Sequence, residues 1–100
     1  MTVDIKELDG KTVVAVTGEL DSVTSEAFQK EIAPLMGKEG LKVEIDMAGL
    51  TYIASRGLRV ILALAQSIMP TGGRVTVVGT TPPVRQVFDI SGFSTLFIVQ

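Results

Sequence analysis

The sequence predicts an α/β fold, a small mixed β-sheet with an antiparallel first strand followed by parallel βαβ units and packed with helices. Three observations carry that prediction. An alternating segment at residues 2–8 and an apolar run within residues 12–17 flank Asp9-Gly10, and an Asp-Gly pair readily supplies the two positive-φ positions of a tight hairpin turn. Strand-like runs at residues 41–46 and 74–78 then alternate with segments of helical period. Helical crossovers between successive strands make those strands parallel and right-handed.

Taken in order, residues 2–8 place Val3 and Ile5 on one face, the pattern of an edge strand with one wet side. The run Val13-Val14-Ala15-Val16 is continuously apolar, so the second strand is expected to be buried on both faces. Gly18-Glu19-Leu20-Asp21 should end it, with Asp21 or Ser22 as N-cap of the first helix. Phe28, Ile32 and Leu35 give that helix one apolar stripe, and Pro34 should kink or break it. Gly37 and Gly40 lead to the third strand, residues 41–46.

A short turn then ends on Ser55, and a helix runs from about Ser55 to Met69. Leu58, Val60, Ile61, Leu62, Leu64 and Ala65 give it a wide apolar face, so it should be the most buried helix. Pro70, Gly72 and Gly73 stop it. After the fourth strand, Gly79-Thr80-Thr81-Pro82-Pro83 turns the chain, with Thr81 suited to an N-cap and Pro82 to the first helical position. Val84, Val87 and Phe88 form the inner face of a third helix that Ser91-Gly92 ends, and residues 96–99 suggest a last edge strand. The order is β-β-α-β-α-β-α-(β).

Composition narrows the function. The 100 residues are 46% hydrophobic, enough for one core and hence one domain over residues 1–100. The net charge is −2 with no block of Lys and Arg, so the electrostatic footprint of a nucleic-acid binder is missing. With no cysteine, thiol nucleophiles, disulfides and thiolate metal sites are excluded. With no histidine, the commonest general base and metal ligand are gone as well. Residues 1–6 alternate instead of forming a basic end and an apolar run, and the longest mainly apolar segment, residues 60–65, is too short to span a bilayer. The expectation is a cytoplasmic, non-enzymatic protein without cofactor or metal. Asp46 as a catalytic carboxylate has no second titratable group placed with it and reads as a turn or cap residue. The single Tyr52 reads as core or turn.

The run Tyr52-Ile53-Ala54-Ser55-Arg56-Gly57-Leu58-Arg59-Val60-Ile61-Leu62 resembles the STAS domains of bacterial anti-sigma factor antagonists. The resemblance extends over essentially the whole chain. It includes Gly18-Glu19-Leu20-Asp21, the D-x-x-x-L of Asp46 to Leu50, and the strand–turn–helix from Arg74 to Phe88. Many members of that family carry Asp-Ser-Ser-Gly where this chain has Ala54-Ser55-Arg56-Gly57, so the acidic neighbour and the second serine are absent while one serine and the glycine remain.

The resemblance implies a partner switch. The unmodified antagonist binds an anti-sigma factor that is also a serine kinase, the kinase phosphorylates one serine at the start of the central helix, and a serine phosphatase resets the system. The matching serine is Ser55. On position alone Ser55 reads as a helix cap, a role compatible with modification. The partner surface implied around it comprises Asp21, Ser22, Ala54, Ser55, Arg56, Gly57, Arg59, Thr80 and Thr81. Arg56 and Arg59 are also candidate phosphate contacts, Asp21 and Thr81 read as caps in their own right, and Thr80 and Thr81 should open at the same end of the sheet as Ser55. Neither direct nucleic-acid binding nor membrane insertion is expected. The alternative is a structural STAS module, a stressosome scaffold or an accessory subunit of a membrane transporter ATPase.

Overall fold

The computed structural model describes residues 1–92, 98 and 99. Five strands form one sheet in the order β1-β2-β3-β4-β5: β1 (Thr2–Leu8), β2 (Lys11–Leu20), β3 (Lys42–Ile53), β4 (Arg74–Val78) and β5 (Ile98–Val99). β1 pairs antiparallel with β2 through the Asp9-Gly10 hairpin, where both residues have positive φ. The remaining neighbours are parallel. The crossovers carry α1 (Thr24–Ile32), α2 (Ser55–Ile68) and α3 (Pro82–Ser91). The expected final strand is present at Ile98–Val99, and residues 96 and 97 of that expectation lie outside the described residues.

Because the strands are laid down in sequence order, right-handed crossovers put all three helices on one face of the sheet. Burial alternates accordingly. Val14, Val16, Val43, Ile45, Met47, Val75 and Val77 are buried beneath the helices. Val13, Ala15, Glu44, Asp46, Thr76 and Val78, on the other face, are only partly covered. The expectation that β2 is buried on both faces is therefore wrong. A four-residue apolar run cannot distinguish two covered faces from one covered face and one apolar open face.

Two strands outrun their expected ends. β2 continues through Gly18-Glu19-Leu20, and β3 continues past Asp46 to Ile53, the two pairing along this extension across register shifts at Ala15/Thr17 and Gly18/Glu19. Residues that read as turn signals are here bulge and close-approach residues. Gly18 has φ +92°, and a Cβ on Gly49 would lie 2.6 Å from Thr17 Cγ2.

The helices follow the sequence more closely. α1 stops at Ile32 and Pro34 sits in a 3-10 turn, Ala33–Leu35, while Phe28, Ile32 and Leu35 are buried as the stripe requires. α2 buries seven of its fourteen residues and α3 two of its ten, so α2 is the core helix. It ends in a 3-10 turn at Met69–Thr71, around Pro70.

Candidate functional site

The site lies at the C-terminal end of the parallel strands, where β3 runs into α2. The Ala54 N–H donates to Leu20 O at 2.8 Å, which fastens the start of α2 to the end of β2. Ala54 is the N-cap, with extended backbone and no side chain able to cap, and Ser55 is the first helical residue. The reading of Ser55 as a cap is thus corrected. Its side chain is exposed, and among the described residues none is hydrogen-bonded to the hydroxyl.

By helix geometry the N–H groups of Ser55, Arg56 and Gly57 have no intrahelical acceptor; the first bond of the helix is Leu58 N–H to Ala54 O at 3.2 Å. The first turn holds no acidic residue, yet it carries the exposed Arg56 and is followed by the exposed Arg59. Two cations at the positive end of a helix dipole oppose helix electrostatics and leave the turn electropositive. A cavity of about 440 Å³ beside them is lined by Gln29 of α1 with Arg56, Arg59, Val60 and Ala63 of α2.

Gly57 is buried and lets α2 approach its neighbours. A Cβ there would meet Ile53 Cγ1 at 3.1 Å, Leu20 Cβ at 3.2 Å and Ser25 Oγ at 3.3 Å. Close approach of α2 to Leu20, Ser25 and Ile53 is what the packing requires.

The β2–α1 loop forms the adjoining rim. Asp21 or Ser22 was expected to be the N-cap. α1 begins at Thr24, preceded by Val23 already in helical conformation, and Asp21 makes the capping contacts, its carbonyl accepting from the Ser25 N–H at 3.0 Å. Its Oδ1 accepts from the N–H of Val23 at 2.9 Å and of Thr24 at 2.8 Å. The Thr24 hydroxyl accepts from the Asp21 N–H at 2.9 Å and lies 2.8 Å from Glu19 O. The Thr24 N–H, followed by the Thr24 hydroxyl, holds the Asp21 carboxyl below its ordinary pKa. The Ser22 side chain does not cap, but Ser22 O accepts from Arg56 Nη1 at 3.2 Å and so joins this loop to the first turn of α2. Asp21, Ser22, Ala54, Ser55, Arg56 and Gly57 are thereby gathered at one place, with Arg59 one turn further along.

Thr80 and Thr81 belong to the same end of the sheet but are not hydrogen-bonded to Ser55. Thr81 occupies the N-cap position of α3 without capping; its hydroxyl donates to Leu50 O at 2.8 Å. The pairing of β3 with β4 stops at Asp46/Val78, so one edge of the β3 extension lacks a strand neighbour. Thr81 satisfies a carbonyl on that extension, and Asp46 Oδ1 accepts from the Ala48 N–H at 3.0 Å. Asp46 lies in mid-strand, so its reading as a turn or cap residue is corrected; its carboxylate accepts from a backbone N–H two residues on within the same strand.

Sequence reasoning missed two apolar surfaces near Ser55. Tyr52, read as core or turn, is a strand residue 48% exposed, opposite Glu19. Val23 is 79% exposed between the loop and α1. The available signal for Val23 was its position outside the apolar stripe of α1.

The ordered sheet, with all three helices on one face, thus presents the start of α2 at its rim. The STAS domain family model matches residues 2–100, and the chain belongs to the STAS domain family. Over 99 residues it is 33% identical to BtrV of Bordetella bronchiseptica, a candidate anti-sigma factor antagonist, covering 99% of this chain and 85% of the relative. The crystal structure of an anti-sigma factor antagonist from Mycobacterium paratuberculosis superposes with a TM-score of 0.88 at 26% identity, over 98% of this chain and 83% of that one. SpoIIAA in its unphosphorylated form gives a TM-score of 0.82 at 20% identity, over 99% and 88% of the two chains, and its phosphorylated form gives 0.73. Among the described residues no helix is long and apolar enough to cross a membrane.

Proposed function

We propose that the protein is an anti-sigma factor antagonist controlled by phosphorylation at Ser55. Unmodified, it binds an anti-sigma factor with serine kinase activity and so frees a sigma factor. Phosphorylated, it lets go, and a serine phosphatase resets it. It acts in the cytoplasm as a single STAS domain, as a binding protein without catalysis of its own. The partner surface is Asp21, Ser22, Ala54, Ser55, Arg56, Gly57, Arg59, Thr80 and Thr81. The observation behind this reading is an exposed serine with an unoccupied hydroxyl at the first position of a fourteen-residue helix, between a structured loop and two arginines. A domain of the same fold, SpoIIAA, exists in unphosphorylated and phosphorylated forms.

A phosphate adds roughly −1.5 to −2 charges and three acceptor oxygens at neutral pH. The free N–H groups and the two arginines suit it, so the domain itself need not change. The partner meets a new dianion that must be desolvated or that opposes its carboxylates, and a tenfold loss of affinity takes only about 1.4 kcal/mol. The test compares Ser55→Asp and Ser55→Ala in recovering the anti-sigma factor kinase from native cells. Ser55→Ala should retain it and resist modification, and Ser55→Asp should lose it. Equal retention by both variants would replace the switch with the constitutive docking of a scaffold or transporter subunit.

A further inference from the structure

We propose that the open face of the sheet carries a second, anion-binding site at the pole opposite Ser55, built by Lys11, Lys42 and Arg74 and suited to the phosphoryl group of a small metabolite. The three cations come from adjacent strands and form one rung. Lys42 lies directly opposite Arg74 in the β3/β4 register, and Lys11 precedes Thr12, which pairs with Val43. Like charges directly opposite each other on a sheet destabilise it. Among the described residues the only carboxylate lining the rung is Glu44, and it is already engaged, 3.3 Å from Lys11 Nζ. Among the described residues Lys42 and Arg74 have no ion-pair partner. The rung is a local concentration of positive charge on a chain whose net charge is −2.

The surface is concave at this rung. A cavity of about 220 Å³ is lined by Lys11, Lys42, Val43, Glu44, Arg74 and Thr76. At roughly 30 Å³ per water, that is room for a phosphoryl group and several further atoms. A planar guanidinium beside two ammonium groups offers the bidentate and point-charge contacts that phosphate oxygens accept. The Thr76 hydroxyl adds a neutral donor, and Glu44 can accept from a ligand hydroxyl. Three cations on one rung are too few to neutralise a nucleic-acid tract, whose affinity grows with the number of phosphates contacted. The rung stands at the N-terminal ends of β3 and β4, and Ser55 follows the C-terminal end of β3, so the two sites are separate.

The test is a titration of the isotopically labelled full chain, followed by backbone amide NMR at low salt, with inorganic phosphate and with ribose 5-phosphate. Saturable shifts are expected at residues 11, 42–44 and 74–76. Lys42→Gln and Arg74→Gln should each weaken binding about tenfold, the loss expected for one charge-assisted hydrogen bond, and both are exposed positions where the change leaves the fold intact. Lys30→Gln, an exposed change on α1, should leave binding unaltered. Equal binding of the two probes assigns the site to the bare phosphoryl group, and tighter binding of ribose 5-phosphate adds the hydroxyl contact at Glu44. The proposal is overturned by the absence of saturable shifts, by shifts confined to residues 55–57, by affinity unchanged in both glutamine variants, or by a response to hexaglutamate peptide alone, which would make the rung a protein-docking patch.

Discussion

Replacing Thr81 by Val should destabilise the protein by an amount readable from one hydrogen bond. Thr81 is the N-cap of α3, yet its hydroxyl donates to Leu50 O and not to a helix N–H. No cap bond is therefore lost on substitution. What is lost is a donor to a carbonyl on the β3 extension, at the edge where β4 no longer pairs. Leu50 is fully buried. Net loss of such a bond costs about 1 kcal/mol, rising to about 3 kcal/mol if the carbonyl stays dry. For a chain of this size each kcal/mol lowers Tm by about 4–8 °C. Valine keeps the β-branched shape and suits the extended backbone of the position, with φ −72° and ψ 156°. Thermal melts of Thr81→Val and Thr81→Ser should diverge, with serine retaining most of the wild-type stability. Equal melting of valine and wild type, or equal losses in both variants, would refute the edge-satisfying role.

Other outcomes follow from the same geometry. Gly73→Ala would put a Cβ 2.5 Å from Leu41 O and 2.4 Å from Ile68 Cγ2; because backbone cannot yield easily, a loss of about 1–3 kcal/mol is expected in urea unfolding. Asp21 has a folded-state pKa below its ordinary value of 3.8, so its contribution to stability is fully present above that value and is lost as pH falls through the lower folded value. Melts of Asp21→Asn should accordingly show a weaker dependence on acidification than the wild type over that window. Ser55→Asp should fold normally and gain about 0.3–1 kcal/mol from an acidic group at the N-terminus of α2; a marked drop in its urea midpoint would show that the first turn cannot accommodate a negative charge.

Much of this architecture is legible in the sequence because its signals are local. Asp9-Gly10 fixes the hairpin, Pro34 and Pro70 end helices, and the spacing of Leu58, Ile61 and Ala65 marks the core helix. What escapes is non-local. Gly18 and Gly49 look like turn residues and turn out to serve a paired extension of β2 and β3, because only the partner strand reveals a bulge or a close approach. The apolar run at Val13 to Val16 says nothing about which face the helices cover. At the site, the sequence points to Ser55 and its neighbours, and the chain folds Asp21, Ser22 and Arg56 together there. Sequence marks the start of α2 near Ser55 but does not reveal that Ala54 takes the cap position, that Thr81 serves β3 instead of α3, or that Tyr52 and Val23 lie open beside the site. Each of those depends on where a neighbouring strand or loop ends.

The central claim is that Ser55 is a switch, and peptide mass spectrometry of the protein purified from its native cells tests it most directly, with the co-purifying proteins identified in the same sample. The account predicts one phosphate, on Ser55, and an anti-sigma factor kinase bound only to the unmodified fraction. An unmodified Ser55 under every growth condition, with a partner still bound, would contradict it.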